Sequence, residues 1–390
     1  MFTALTSKNI SVIMKRVIFL KKILKRFWIF IPLVLAALMF FVLPMFPDFT
    51  EYAISRGLFK VITTPVGFIT SLIPISLTEL LAVLALPAVI FLIVLFIVKM
   101  KKSRSRRKTA LKAGRGVCAF LSIACFVYMC GHGANFYRQP LEKAMGLDTS
   151  QKTAEQLLSV CKILANGAAE AERDISRDEN GLMKLPASVY DELTRASNGY
   201  DKLVAEYPFL WTAVWRQKPV LLSEPWSYTG ITGMYFPFFA ECNVNVAQPD
   251  YLIPATAAHE SAHSRGIAFE NECNFLAFLS CISSDYPEFR YSGYMMALTY
   301  CANALYDYDI DMWQEVRDLE TEGMIADFAA NNKYIYDHEG HDNSVIETIH
   351  NVSQAANDTF IQIQGVPDGK LSYGRVTELI LAYYEREGMV

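Results

Sequence analysis

The longest apolar run in the chain, residues 80–98, contains nineteen consecutive apolar residues and no charge. A helix of about 20 apolar residues is long enough to cross the hydrocarbon layer of a bilayer. Apolar residues make up 52% of the whole chain, which favours a membrane protein with a sizeable soluble part. Residues 80–98 are therefore the clearest predicted membrane span.

Two further apolar runs predict additional spans. Residues 27–46 carry no charge and are interrupted only by Pro32 and Pro44. We interpret this run as a retained span, because it is long and no small-residue cleavage site follows it. The other run covers about residues 116–134, and its uninterrupted apolar part is shorter because it ends near Gly131.

The charge distribution predicts the orientation of these spans. Residues 1–115 contain 18 Lys and Arg against 3 Asp and Glu, a net charge of +15, so residues 116–390 carry −19 of the total of −4. Basic loops next to spans normally lie in the cytoplasm, which assigns residues 1–26 and 99–115 to that side. Three crossings then place residues 136–390 outside the cytoplasm, whereas without the third span they would be cytosolic.

These patterns predict three parts: a basic cytoplasmic N-terminus (1–26), a membrane domain (27–135) and a larger domain (136–390). The basic stretch KKSRSRRK directly follows a span. Membrane topology therefore explains it better than nucleic-acid binding does. The predicted location is the cell membrane, with several crossings and the lipid bilayer as a partner.

Residues 47–79 alternate short apolar patches with proline, glycine, serine and threonine. Patches such as residues 66–73 are too short to cross a membrane. Two interpretations stay open. The segment is either interfacial or re-entrant on the far side of the membrane, or an apolar loop packed on the soluble domain.

The most informative polar motif is HESAH at residues 259–263, the H-E-x-x-H pattern of zinc peptidases. Residues four apart on a helix lie one above the other, so His259 and His263 can meet one metal ion. Glu260 would lie beside the metal, where a carboxylate can take a proton from water. The pattern predicts one Zn²⁺ per chain.

The residues around the motif agree with a short helix. Pro254 suits a first helical turn, and Gly266 suits the position just past a helix end. The alternative is a surface helix whose histidines bind nothing. The helix signals together with a carboxylate-rich segment close downstream favour the zinc site.

A catalytic zinc site typically has three protein ligands, and Glu270 and Glu272 follow the motif closely. In the metzincin pattern the third ligand is a histidine six residues after the second one; here that residue is Phe269, which excludes the subclass. The segment ENECN resembles the E-x-x-A-D or E-x-x-A-N segment that supplies the glutamate ligand in several zinc peptidase families. Aligning Asn274 with the last position favours Glu270, with Glu272 as the alternative.

The soluble part reads as mainly helical, with amphipathic helices at residues 153–171 and 188–200. Residues 234–246 alternate towards their end and predict a β-strand shortly before the histidine helix. In H-E-x-x-H peptidases an edge strand in that place commonly binds substrate backbone, and by resemblance we assign that role here. An ordinary structural strand is the alternative.

Catalysis of this type often needs a hydrogen-bond donor for the developing oxyanion. The sequence offers several candidates for transition-state or substrate contacts without ranking them: Tyr291, Tyr294, Asn243, Asn274 and the histidines at 338, 341 and 350. The eight cysteines have no C-x-x-C spacing, which favours buried free thiols over a disulfide framework or a zinc finger.

The predicted spans, the strand AECNVN and the stretches HESAHSRGIAFENECNFLAFLS and RYSGYMMALTY resemble a bacterial family of membrane proteins. That family is described as a domain of unknown function within the H-E-x-x-H zinc peptidase clan. The resemblance implies a membrane protein with three N-terminal transmembrane helices. A mainly α, α+β zincin-like domain with a small β-sheet would follow them.

Two functions from different classes follow. The first is a membrane-anchored zinc endopeptidase in which His259, His263 and Glu270 hold the metal and Glu260 is the general base, acting on a protein or peptide. The second is a non-catalytic zincin-fold sensor or assembly protein of the cell envelope. An intact Glu260 favours the first, because a binding protein needs no base there. The sequence leaves the oligomeric state open.

Overall fold

The computed structural model describes residues 27–150, 152–341, 344–363 and 373–390. The predicted cytoplasmic N-terminus, residues 1–26, lies outside this part. The described chain is mostly helical with two small sheets. The described residues divide into two compact units, one within residues 27–45 and 85–129 and the other within residues 46–84 and 130–390.

Three helical stretches are long and apolar enough to cross a membrane by length and composition: Trp28–Met45, Leu77–Lys102 and Arg106–Gly131. The prediction of three such helices is therefore confirmed. The third helix differs from the prediction, because it begins within the basic stretch and ends at Gly131 rather than near residue 134. His132 precedes a separate short 3-10 helix, Gly133–Tyr137, and both belong to the second unit.

The first six α-helices are α1 (Ile31–Val42), α2 (Pro47–Phe49), α3 (Phe59–Ser71), α4 (Leu77–Lys102), α5 (Arg106–Gly131) and α6 (Leu141–Met145). Of these, α2, α3 and α6 lie in the second unit. A π-helix, Thr50–Leu58, joins α2 to α3. Within the first unit, the backbone N–H of Leu33 on α1 donates to Ser122 Oγ on α5 at 2.9 Å.

The remaining α-helices belong to the second unit: α7 (Ala154–Glu172), α8 (Val189–Arg195), α9 (Asn198–Glu206), α10 (Ser223–Ser227), α11 (Ile253–Ser264), α12 (Glu270–Ser283), α13 (Pro287–Tyr308), α14 (Ile310–Arg317), α15 (Glu322–Glu339), α16 (Ser344–Ile363) and α17 (Tyr373–Arg386). Short 3-10 helices are Trp28–Phe30, Leu43–Met45, Gly133–Tyr137, Pro208–Leu210 and Asp250–Leu252. The predicted single helix 188–200 is wrong, because the turn at residues 196–197 divides it into α8 and α9.

Helix α7 shows how local sequence and packing agree in the second unit. Thr153 and Gln156 form a capping box, with Gln156 N donating to Thr153 Oγ1 at 3.2 Å and Thr153 N donating to Gln156 Oε1 at 3.0 Å. Two backbone donors that the helix cannot satisfy internally are thereby paired. The apolar face, which includes Val160 and Leu164, is fully buried, as its helical spacing predicts.

Helices α7, α11, α12, α13 and α17 enclose the main hydrophobic core. Burying each large apolar side chain there contributes about 1.5–3 kcal/mol relative to exposure. Helix α12 is buried along most of its length, so it lies inside the unit rather than on its surface. The residue that begins this central helix is Glu270, which therefore has a fixed position.

The strands are β1 (Ser176–Arg177), β2 (Met183–Lys184), β3 (Lys218–Pro219), β4 (Gly233–Phe236) and β5 (Glu241–Val244). The first two pair antiparallel. The others form a three-stranded sheet in the order β3-β5-β4, with β3 parallel and β4 antiparallel to β5.

The predicted single strand over residues 234–246 is wrong, because it is a hairpin of β4 and β5. The chain turns between them at Ala240, which adopts a left-handed conformation (φ 47°). Strand β5 is central and paired on both sides, so within the described residues the edge next to α11 is β4.

Candidate metal centre

The histidine helix α11 begins and ends as the sequence predicts. Pro254 lies in its first turn. Gly266 has a φ of +87° just after its last residue, and Gly266 N donates to the carbonyl of His263 at 3.0 Å. Glycine adopts this left-handed conformation without the strain that a side chain would add. The helix therefore stops one residue after the motif, and the chain is free to return towards it.

The returning chain brings Glu270 to both histidines. Its Oε2 lies 3.0 Å from His259 Nε2, and its Oε1 lies 3.6 Å from His263 Nε2. The two imidazole rings are on the same side of α11, with centroids 5.0 Å apart. Two nitrogens and one carboxylate are the donor set of a well-known class of catalytic zinc sites.

The other ring nitrogen of each histidine has a partner that fixes the ring. His259 Nδ1 lies 2.7 Å from Asn274 Oδ1, and His263 Nδ1 lies 2.9 Å from the carbonyl oxygen of Ile267. Both oxygens accept hydrogen bonds, so each Nδ1 is the donor and each Nε2 keeps its lone pair in the neutral ring. Metal-binding histidines are typically held in this way. Asn274 therefore orients a histidine.

His259 and Glu270 form a close pair whose pKa values are shifted in opposite directions. Burial would lower the pKa of His259, but its bond to Glu270 and the charge of that carboxylate prevail and raise the pKa to about 9. Burial would raise the pKa of Glu270, but its bond to His259 prevails and lowers the pKa to about 2. A metal ion would replace the proton of this pair, since metal ligands must be deprotonated.

Cys273 also lies near the histidines, and its sulfur is within 4.8 Å of ligand atoms of both. Its Sγ, however, is 3.3 Å from His263 Nδ1 and 3.6 Å from the carbonyl oxygen of Ile267. The thiol thus faces the ring edge opposite Nε2. Burial raises the pKa of Cys273 well above its ordinary value, which disfavours the thiolate that a metal needs.

Glu272 points away from the histidines. Its Oε1 accepts the backbone N–H of Leu141 at 2.7 Å, and its side chain is buried. Burial raises the pKa of this carboxyl to about 7. The structure therefore joins Glu270, and not Glu272, to the histidine pair.

Glu260 lies buried between α11 and the edge strand β4. A Cβ at Gly233 would lie 2.5 Å from its Oε1, so the carboxylate occupies space that only glycine leaves. It accepts a hydrogen bond from the backbone N–H of Tyr235, and its Oε2 has no hydrogen-bond partner among the described residues. Burial raises the pKa of Glu260 to about 8. A buried carboxyl with a pKa shifted towards neutral and an Oε2 without a described partner fits a group that exchanges a proton during a reaction.

Several predicted contact residues belong to other networks. Asn243 lies on the central strand β5, and its fully buried amide bonds to Ser76 Oγ and Thr78 Oγ1 at 2.6 and 3.2 Å. The Tyr291 hydroxyl donates to Asp327 at 2.6 Å. The Tyr294 ring packs on Gly167 of α7. The bonds and ring contacts described for these three residues do not include His259, His263 or Glu270.

The structure adds a histidine that the sequence analysis treated as the end of a span. The buried ring of His132 has its centroid 5.5 Å from that of His263 and 5.7 Å from that of Tyr235. Burial lowers the pKa of His132 to about 3, so the ring is neutral. Its position more than a hundred residues from the motif gave no local signal.

A buried ion pair is hydrogen-bonded to the loop that follows α11. Arg138 donates from Nε and Nη2 to both oxygens of Glu51 at 2.7 and 2.8 Å, and from Nη1 to the carbonyl oxygen of Gly266 at 2.7 Å. Both charged side chains are almost completely buried. Bidentate pairs of this kind fix geometry, so the turn that brings Glu270 back is tied to residues 46–84.

Residues 54–381 match the model of a family described as Protein of unknown function (DUF3810). The chain belongs to this family. No curated protein and no solved structure matches it. The matched region includes α11, Glu270, Asn274, Gly233 and His132, so the whole candidate centre lies within the DUF3810 match. Glu51, which pairs with Arg138, lies just before its start.

Proposed function

We propose that this chain is a membrane-anchored, zinc-dependent metallopeptidase of the H-E-x-x-H type with a zincin-like catalytic domain. The carrying observation is the convergence of His259 Nε2, His263 Nε2 and the Glu270 carboxylate, with the buried carboxylate of Glu260 beside them. One Zn²⁺ per chain fits this donor set, because both histidines already have their other nitrogen anchored. When bound, zinc supplies a Lewis acid that acidifies water and polarises a carbonyl.

The chain's own groups would divide the remaining work. Glu260 Oε2, which has no described partner, would accept a proton from the attacking water and then deliver it to the leaving amine. Burial of Glu260 keeps bulk water from competing for that oxygen. The edge strand β4 would bind an extended peptide by strand addition, since its outer backbone groups are unpaired by any described strand. This narrows the backbone-binding role from the predicted strand 234–246 to residues 233–236.

The test uses the full chain in detergent with a library of internally quenched peptides as the probe. Glu260→Gln should keep its zinc, measured by mass spectrometry, and lose cleavage by about 10²–10⁴-fold, as expected for loss of a general base. Glu224→Gln is the matched control, because that carboxylate is exposed on α10. Cleavage at the wild-type rate in Glu260→Gln would refute the proposal. Comparative proteomics of cells carrying wild type or Glu260→Gln would identify substrates.

The orientation in the membrane is a separate part of the proposal. The basic residues at 99–115 lie between two candidate spans, and basic loops are normally cytoplasmic. A reporter that is active only outside the cytoplasm should be active when fused after Tyr137 and silent when fused at Lys108. An inactive fusion after Tyr137 would place the centre, and its protein or peptide substrates, in the cytosol.

A further inference from the structure

Residues 46–76, here called the connecting segment, join the helical stretch Trp28–Met45 to α4. Their polar side chains face the protein and their apolar side chains face outwards, the reverse of a helix on a water-exposed surface. Their buried positions recur about every four residues and are mainly polar or small, including Glu51, Ser55, Thr63 and Gly67. Their exposed side chains are almost all apolar. In a helix that faces water the two faces have the opposite composition.

The outward face of the connecting segment is defined by Phe49, Tyr52, Val61, Phe68, Ile69 and Leu72, each of which is more than half exposed. Between residues 49 and 76, none of the exposed residues is charged. The cations turn inward: Arg56 pairs with Glu51, and Lys60 donates to the carbonyl oxygens of Trp211 and Arg265. Continuous apolar faces without charge are uncommon on surfaces that contact water.

Continuity of the chain identifies what covers this face. The connecting segment follows one helix of membrane length and leads directly into another, α4, which begins at Leu77. Only 31 residues separate Met45 from Leu77, and most of them are helical, so both ends stay at the membrane boundary. Helices of this kind lie in the plane of the interface with their apolar face about 5–10 Å deep.

Two tryptophans beside the connecting segment support the same environment. The Lys60 ammonium donates a hydrogen bond to the backbone carbonyl oxygen of Trp211 at 2.6 Å. The backbone N–H of Trp215 donates to Ser71 Oγ at 3.4 Å. Their side chains are 49% and 37% exposed. Tryptophan is enriched where membrane and water meet, because its ring is apolar and its N–H is polar.

We infer that the outward face of the connecting segment is a membrane-docking surface seated in the interfacial layer of the lipid bilayer. Its polar face packs on the rest of the second unit through the Glu51–Arg138 pair, and Arg138 also donates to the carbonyl oxygen of Gly266 after the histidine helix. The surface therefore fixes the candidate metal centre to the membrane boundary. This inference does not depend on peptidase activity.

The test places single fluorescent labels on the full chain reconstituted in vesicles. The exposed thiols Cys118 and Cys125 are first replaced by alanine. Labels are then attached to Val61→Cys or Leu72→Cys on the outward face. Tyr308→Cys, which is 73% exposed at the end of α13, is the matched control, and Val89→Cys within α4 is the reference for a deep position.

Labels at 61 and 72 should be quenched by lipids with brominated acyl chains and should be several-fold less accessible to aqueous iodide than the label at 308. Their depth should be shallower than that of the label at 89. Equal iodide access at 61, 72 and 308 would show a face in water and overturn the inference. Protection from both iodide and brominated lipid would also overturn it, because a second copy or another protein would then cover the face.

Discussion

The candidate metal centre and the outward face of the connecting segment are opposites. The centre places ionisable side chains inside the protein, whereas the face exposes apolar side chains. At the centre, His263 and Glu260 are buried, His259 is mostly buried and the side chain of Glu270 is 44% exposed. The ring nitrogens of both histidines are bonded to neighbouring protein groups. On the outward face, apolar side chains extend away from the protein. A change at the centre should therefore disturb its neighbours, whereas a change on the face should leave the fold intact.

The largest effect is expected from removing a histidine of the centre. His259→Ala and His263→Ala should each lower bound zinc from about one ion per chain to near zero, because each removes one of three ligands. The measurement is metal analysis after dialysis. His338→Ala is the control, since that ring bonds to the carbonyl of Tyr334 on α15. If the double variant His259→Ala/His263→Ala still bound one zinc ion per chain, the two histidines would not be the metal ligands.

The two neighbouring carboxylates should separate ligation from folding. Glu270→Ala should strongly weaken zinc binding, because Glu270 is the carboxylate at the histidine pair. Glu272→Ala should leave zinc affinity nearly unchanged but destabilise the fold by about 1–3 kcal/mol, since the buried N–H of Leu141 loses its partner. Calorimetric zinc titration and denaturant unfolding measure the two effects. The reverse ranking in zinc affinity would transfer the ligand role to Glu272.

The inward face of the connecting segment should behave like the protein core. Phe59 is 1% exposed, and its ring lies against Gly266. Phe59→Ala should lower the free energy of unfolding by about 3–5 kcal/mol, as for other buried phenylalanines. Denaturant unfolding in detergent measures this change. A loss below about 0.5 kcal/mol, typical of surface sites, would mean that the segment is not packed on the second unit.

A moderate effect is expected at the residue that orients His259. Asn274→Ala should reduce zinc affinity by about 10–100-fold, the usual consequence of losing a partner of a metal-binding histidine. Asn271→Ala on the same helix is the matched control, because Asn271 has no described bond to a histidine. Calorimetric titration compares the two variants. Equal affinities would show that Asn274 does not hold the ring.

The smallest effect is expected on the outward face. Val61→Ala removes apolar surface from a side chain that is 72% exposed. The free energy of unfolding in detergent should change by no more than about 0.5 kcal/mol. The same denaturation assay as for Phe59→Ala gives a direct comparison of two residues on opposite faces of one helix. A loss comparable to that at Phe59 would contradict an outward face without protein contacts.

The sequence predicted the features that depend on local signals. The beginning and end of α11, the glycine after it, the capping of α7 and three helices of membrane length all follow from residues within one or two turns. The geometry also agrees with the preference for Glu270 over Glu272, which came from the spacing to Asn274. These residues lie close enough in sequence for helical periodicity to relate them.

Features that depend on distant contacts could not be predicted. The connecting segment is helical and packs with the second unit, because Glu51 pairs with Arg138 and Ser76 with Asn243. Of the two interpretations left open, an interfacial or re-entrant segment and an apolar loop packed on the soluble domain, neither described a helical segment with its polar side packed on the protein and its apolar side exposed. The hairpin at residues 233–244 was predicted as one strand although its turn, residues 237–240, contains Pro237. The left-handed position of that turn is occupied by Ala240 and not by the glycine or asparagine that usually marks it.

The contacts of Glu51 with Arg138 and of Arg138 with Gly266 join residues that are synthesised at different times. At about 5–20 residues per second, synthesis reaches Gly266 roughly 10 to 40 seconds after Glu51. Glu51 can pair with Arg56 at once and with Arg138 after about 4–17 seconds, but Arg138 finds the carbonyl of Gly266 only at the end of that interval. The connecting segment is thus synthesised before the histidine helix, and the turn after that helix later binds to Arg138 beside it.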